Sequence, residues 1–107
     1  MTTEKQLCGG WSTEALVTEE VKKICIKEKP LIEKETGANF KGYIPLIFRH
    51  QTVAGDNYLV KVYVGVNKCV HALIFQALPC NGGGLTVTRV QYPKTANDPL
   101  VPFEVKH

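Results

Sequence analysis

The chain has 107 residues, 44% of them hydrophobic, and its 13 Lys and Arg against 10 Asp and Glu leave a formal net charge of +3. That length accommodates one domain with a core of its own, without a disulfide or a metal to hold it. The small excess of positive charge is scattered among acidic residues, which excludes the basic stripe of a nucleic-acid binder.

Residues 1–11 read MTTEKQLCGGW, with Glu4 and Lys5 where a secretory signal needs an apolar core. No run approaches the roughly 20 apolar residues of a membrane-crossing helix. A reducing, cytoplasmic setting is therefore expected.

From Thr18 the residues Val21, Ile24, Cys25, Leu31 and Ile32 recur at helical spacing, with Lys22, Lys23, Lys27, Lys29 and Lys34 on the other faces. The pattern predicts a half-buried helix. Thr18 is its N-cap, Glu19 and Glu20 suit the positive end of the dipole, and Gly37 is the stop. Pro30 removes one intrahelical hydrogen bond and crowds the Ile26 carbonyl, so a kink is expected there.

After Gly37 the period changes to two. Strands are predicted over 40–48 and onward to Thr52, over 58–66, 70–78 and 85–91, with a last short strand near 100–105. Tyr58, Val60, Val62 and Val64 make one face apolar, and Lys61 marks the other as wet. The turns GDN, at Asp56-Asn57, VNK and CNGGG are short, so successive strands should be antiparallel neighbours. One helix against one such sheet is an α+β arrangement.

Cys8, Cys25, Cys69 and Cys80 form no C-x-x-C pair and lack zinc spacing. Cys69 and Cys80 flank one strand, which at roughly 3.3 Å per residue sets them tens of ångströms apart, far beyond the about 7 Å limit for bonded Cα atoms. Cys69-x-His71 offers two ligands on one strand face without a third, and neither a metal nor a cofactor is expected. His50 and His71 read as surface or half-buried side chains rather than partners of a nucleophilic cysteine, because the domain is too small for an obvious cleft.

Binding through loops is the better class. Leu7-Cys8-Gly9-Gly10 precedes the helix, Gln51-Thr52-Val53-Ala54-Gly55 forms a hairpin end, and Leu78-Pro79-Cys80 follows a strand. In an antiparallel meander the two hairpin loops fall at the same end. Valine and alanine at a hairpin tip are poorly placed for water, and the tip asks for a partner.

Taken in order, these segments resemble the stefins, the type 1 cystatins, which are intracellular inhibitors of papain-like cysteine proteases. Residues 51–55 match the Q-x-V-x-G signature, Gly9 the N-terminal trunk glycine, and Leu78-Pro79 the second hairpin; KPLIEKETG, NYLVKVYVGV, VHALIFQALP and LTVTRVQ extend the likeness over nearly the whole chain. The resemblance implies a single cystatin domain over 1–107, with residues 1–11 as a flexible trunk. The implied fold is a five-stranded antiparallel sheet wrapped around one long α-helix.

It also implies that the protein is no enzyme. Trunk and hairpins would form a wedge that enters a protease cleft, reversibly and competitively, with cathepsins as targets. Leu7, Cys8, Gly9, Gly10, Gln51, Thr52, Val53, Ala54, Gly55, Leu78, Pro79 and Cys80 would touch the protease. A monomer is the expected form. An exchange of halves hinged at the first hairpin, or a disulfide through Cys8 or Cys80, are the routes to a dimer, and an interaction module without inhibition is the alternative function.

Overall fold

The computed structural model describes residues 10–102. In chain order they form β1 (Ala15–Leu16), α1 (Glu19–Lys27), α2 (Lys29–Thr36), β2 (Ile44–Val53), β3 (Gly55–Gly65), β4 (Lys68–Gln76), a 3₁₀ turn (Pro79–Asn81) and β5 (Leu85–Lys94). The strands lie in one antiparallel sheet in the order β1-β2-β3-β4-β5, a meander with the two helices inserted between β1 and β2.

The helix begins as its sequence demands. Thr18 is extended, and its side chain accepts the Val21 N–H at 3.2 Å. Gly37 closes the helical region at φ 74°, the left-handed conformation that glycine adopts without a Cβ penalty. The expected kink is present, two residues before the proline. Glu28 leaves helical geometry at φ −94° and ψ 3°, and α2 restarts with Pro30 at its second residue, where a missing N–H has no intrahelical acceptor to serve. One long helix is thus two segments in series.

Val21, Ile24, Cys25 and Ile32 of the helices are buried against Tyr58, Val60, Val62 and Val64 of β3 and Val70, Ala72 and Ile74 of β4. Leu31, read from spacing as part of that face, is 47% exposed. Cys25, Glu28 and Ile32 are buried at helical spacing through the break, and Leu31 falls beside that stripe.

Four further expectations are corrected. Residues 40–43 are not strand, although Phe40 is buried in the core; β2 starts at Ile44. The fifth strand is β1 rather than a C-terminal one: Leu100–Pro102 carry no strand, and the rest of the expected segment lies outside the described residues. The sheet's outer face is not wet. Lys61 is only 5% exposed and His71 1%, because Trp11, Ile47 and Leu100 cluster with Leu59 and Leu73 over that face. Finally, β2 and β3 pair up to Val53 and Gly55, so the first hairpin turns at Ala54, and Asp56 and Asn57 already belong to β3.

A set of backbone acceptors holds the C-terminal segment on the outer face. Lys61 Nζ donates to the carbonyls of Ala96 at 2.9 Å and Asp98 at 2.6 Å, while Arg49 donates to those of Ser12 at 2.8 Å and Leu100 at 3.0 Å. Both ends of the described chain are thereby fastened to the middle strands.

Candidate functional site

The tip of the first hairpin is set by its neck. Two hydrogen bonds between non-adjacent side chains brace it on opposite faces of the ribbon: His50 Nε2 lies 2.7 Å from Asp56 Oδ1, and the Asn57 side-chain amide donates to Gln51 Oε1 at 2.7 Å. Beyond them only Thr52, Val53, Ala54 and Gly55 remain. Thr52 and Ala54 are exposed, and Val53 is half-buried.

Gly55 ties this tip to the next strand. Its φ is 127°, and a Cβ built on it would meet the Gln76 carbonyl oxygen at 2.5 Å and the Phe75 ring at 2.8 Å. Glycine is required twice over there, by conformation and by space. The approach also fixes where the second loop emerges. Immediately after Gln76 the chain leaves β4, and Leu78, Pro79 and Cys80 are exposed.

That second loop is held from within. Leu78 is extended, its carbonyl accepts the N–H groups of Asn81 at 2.8 Å and Gly83 at 2.9 Å, and Gly82 and Gly83 take positive φ. The Ala77 N–H donates to the Gly84 carbonyl at 2.9 Å, which closes the base of the loop. A short, internally bonded loop loses little freedom when a partner covers it.

The N-terminal segment arrives on the other flank of the hairpin. Trp11 pairs with Gln51 in an isolated antiparallel bridge, the Ser12 N–H donates to the His50 carbonyl at 2.8 Å, and the His50 N–H donates to Ser12 Oγ at 2.9 Å. Gly10 and Trp11 line a shallow hollow with Thr52. So Gly10, the stretch Gln51 to Gly55 and the stretch Leu78 to Cys80 come to one end of the sheet. Leu7, Cys8 and Gly9 lie outside the described residues.

This edge carries no charged side chain in residues 51–55 or 78–84. Behind it, the Asp56 carboxylate is taken up by the His50 ring at 2.7 Å. An edge of that kind can enter a partner without stripping water from isolated charges. Among the described residues no group of three or more His, Cys, Asp and Glu could hold a metal, and no helix is long and apolar enough to cross a membrane. Sequence reasoning did not find His50 and Asp56. They meet diagonally across the ribbon, and the GDN turn signal had placed Asp56 in the loop itself.

The family model described as a cystatin domain matches residues 9–97. The chain belongs to the cystatin family. Among its relatives, Leukocyte cysteine proteinase inhibitor 1 of Sus scrofa is 38% identical over 103 residues, covering 96% of this chain and 100% of that protein. Cystatin-B of Oplegnathus fasciatus is 34% identical over 97 residues, 91% of this chain and 97% of its own. Cystatin-A of Homo sapiens is 35% identical over 95 residues, 89% and 97% respectively. The meander around a bent helix is thus this family's α+β domain.

Proposed function

We propose that this cystatin is a reversible, tight-binding competitive inhibitor of papain-like cysteine proteases, cathepsins among them, and that the edge formed by Gly10, Gln51 to Gly55 and Leu78 to Cys80 is the wedge that fills their cleft. The observation that carries the reading is the convergence of three neutral loop segments at one end of the sheet, in a family where a relative bears the name of a cysteine proteinase inhibitor. Leu7, Cys8 and Gly9 extend that edge as a trunk, within a single domain over 1–107.

No bond need form with the protease. The hairpin tip presents Val53, Ala54 and the Gly55 backbone, and it offers no scissile peptide to a nucleophile in an extended, solvent-free alignment. Inhibition follows from exclusion of substrate. Val53 and Ala54 are apolar because the partner, not water, covers them in the complex, which answers the question their position raises. Pre-bonded loops give such an interface its affinity, since little order remains to be imposed on binding.

The inhibiting form is the monomer. An exchange of halves would open the first hairpin and straighten Val53 to Gly55 into a continuous strand, removing the tip. A cytoplasmic setting suits the free thiols of Cys25, Cys69 and Cys80, which a reducing compartment maintains.

The test is a titration of papain with the reduced monomer, following hydrolysis of a small fluorogenic substrate. Near-stoichiometric loss of activity that returns on dilution or competition is the expected result. Full papain activity in the presence of folded monomer would overturn the reading and leave a domain whose edge serves another partner.

A further inference from the structure

The turn CNGGG joins β4 to β5; its first residue, Cys80, lies on the proposed wedge, and Asn81 to Gly84 follow on the same loop. We infer that Asn81-Gly82 is a self-modifying site: the Gly82 backbone nitrogen displaces ammonia from the Asn81 side chain, and the acidic residue that results weakens the second loop's hold on a protease. The second half of that statement rests on the inhibitor function proposed above.

The chain has five asparagines, Asn39, Asn57, Asn67, Asn81 and Asn97, followed by Phe40, Tyr58, Lys68, Gly82 and Asp98 respectively. Exposure does not separate them, since Asn39, Asn67, Asn81 and Asn97 are all exposed. The following residue does. Its backbone nitrogen must come within bonding distance of the asparagine Cγ, and any side chain on its Cα crowds that approach. Glycine has none, and it reaches backbone angles closed to the others. Two of the remaining asparagines are also restrained: the Asn57 amide donates to Gln51 Oε1 at 2.7 Å, and Asn67 Oδ1 accepts the Ala96 N–H at 3.3 Å. Among the described residues no hydrogen bond holds the Asn81 carboxamide.

The loop gives the attack room. Asn81 ends the exposed 3₁₀ turn, and Gly82 and Gly83 follow at φ 101° and 64°. A Cβ built on Gly82 would meet nothing within 4 Å, so the space around its nitrogen is open. The Gly82 N–H donates to the Pro79 carbonyl at 3.0 Å, a bond that must break before the nitrogen can turn toward Cγ. It is one bond of a single exposed turn, the kind that opens without unfolding the sheet. The Ala77–Gly84 bond at the base of the loop lies outside the reacting atoms.

The Gly82 nitrogen gives its proton to hydroxide and bonds to Asn81 Cγ. The Cγ–Nδ2 bond breaks, and ammonia leaves with a proton taken from water, which restores the hydroxide. A five-membered cyclic imide remains. Water then adds at Cγ and opens the Cγ–N bond, giving aspartate, or adds at the Asn81 carbonyl carbon and opens the original peptide bond, giving isoaspartate with the chain rerouted through Cγ. Either product brings a negative charge to a loop that has no charged side chain in residues 78–84, and isoaspartate also lengthens its backbone by a methylene. A carboxylate carried into an interface sheds water with no partner arranged to replace it.

The experiment incubates the purified full chain, with reductant to protect its thiols, for several days at 37 °C and pH 8, beside a parallel sample at pH 6. Samples are read by peptide mass spectrometry and by papain inhibition under one fixed assay condition. Acid should accumulate at Asn81 ahead of the other four asparagines, and faster at pH 8, where hydroxide is more abundant. The acidic product, isolated by ion exchange and folded by circular dichroism, should inhibit papain at least about fivefold more weakly than fresh protein, and Asn81→Asp made directly should share the loss. Asn81→Gln, whose longer side chain closes the corresponding ring poorly, should keep its own initial inhibition throughout. Asn81 intact at the end, Asn81 converted no faster than the other asparagines, or an acidic product that inhibits as well as fresh protein would each overturn the inference. If fresh wild type fails to inhibit papain, the inhibitor reading falls, and mass spectrometry still decides the modification: selective conversion of Asn81 supports it, and its absence rejects it.

Discussion

Lys61 and His71 stand directly opposite each other on β3 and β4, both buried beneath the segment that follows β5. Lys61 Nζ is committed to the Ala96 and Asp98 carbonyls, whereas His71 Nε2 has no hydrogen-bond partner among the described residues. Burial first, then the cations of Lys61 and Lys94, depress the His71 imidazole from 6.5 to about 4, against the smaller opposing pull of Asp98 and Glu14. The sheet's outer face thus sets a lysine that donates to two backbone carbonyls beside a buried ring whose protonation is disfavoured.

A pH dependence of stability follows. In the unfolded chain His71 takes up a proton near its ordinary value, while in the fold it stays neutral down to about 4. Below that ordinary value the unfolded state binds more protons, so the contribution of His71 is fully present above about pH 6.5 and is lost as pH falls toward 4. At 1.36 kcal/mol per pH unit the loss is at most about 3 kcal/mol. Urea unfolding at pH 7 and 4.5 should show a fall in stability that is smaller in His71→Gln than in wild type. Equal falls in the two proteins would contradict the assignment.

Lys61→Met should act on the same face in two ways. It leaves the Ala96 and Asp98 carbonyls without their charged donor, at a cost of about 2–3 kcal/mol, seen as a lower urea midpoint. It also removes a cation that lowers the His71 proton affinity, so an NMR titration should find His71 gaining its proton at higher pH than in wild type. The Val53–Gly55 rung at the hairpin tip is six rungs away, and papain inhibition by the folded variant should change by less than about twofold.

Gly55→Ala tests the join between the two loops. The substituted residue would have to hold φ 127° and place a methyl 2.5 Å from the Gln76 carbonyl oxygen. Strain of about 1–3 kcal/mol is expected from the backbone alone, and the strand must shift to relieve the overlap. Papain inhibition should weaken by at least about tenfold, since about 1.4 kcal/mol is a factor of ten. Gly84→Ala is the control: nothing lies within 4 Å of its Cβ and it needs no positive φ, so inhibition and melting temperature should both hold.

What the sequence disclosed follows from what repeats along it. Thr18 and Gly37 are local signals, read by their own turn of chain, and the strands β2 to β5 announce themselves by alternation. The two-residue β1 has no period to detect, and both its residues are exposed, Leu16 by 80%. Lys61 misled because a lysine in an alternating strand ordinarily points to water. Only the return of residues 95–100 over that face, invisible to strand periodicity, buries it. At the site, the loops were legible from their apolar and glycine-rich composition, whereas the His50–Asp56 contact depends on pairing register, which moved when the turn tightened from Asp56-Asn57 to Ala54.

The three cysteines among the described residues separate into two chemical kinds, and the separation reaches function. Cys25 is buried at the helix–sheet interface, and burial pushes its thiol up to about 12. Burial likewise raises Cys69, with Lys61 opposing and Asp98 adding to the effect. A thiolate is the reacting species, so neither should be modified in the native state. Cys80 is exposed in the 3₁₀ turn that follows Pro79, on the proposed wedge. Brief iodoacetamide treatment of a native Cys8→Ser chain, read by peptide mass spectrometry, should label Cys80 and leave Cys25 and Cys69 unmodified until denaturant is added. A carbamidomethyl group there adds bulk to the loop proposed to enter the protease cleft, so labelled monomer should inhibit papain at least several-fold more weakly, with its melting temperature unchanged. A chain carrying both Cys8→Ser and Cys80→Ser should escape that loss under the same treatment. Equal inhibition by labelled and unlabelled protein would place Cys80 outside the contact and confine the second loop's role to Leu78 and Pro79.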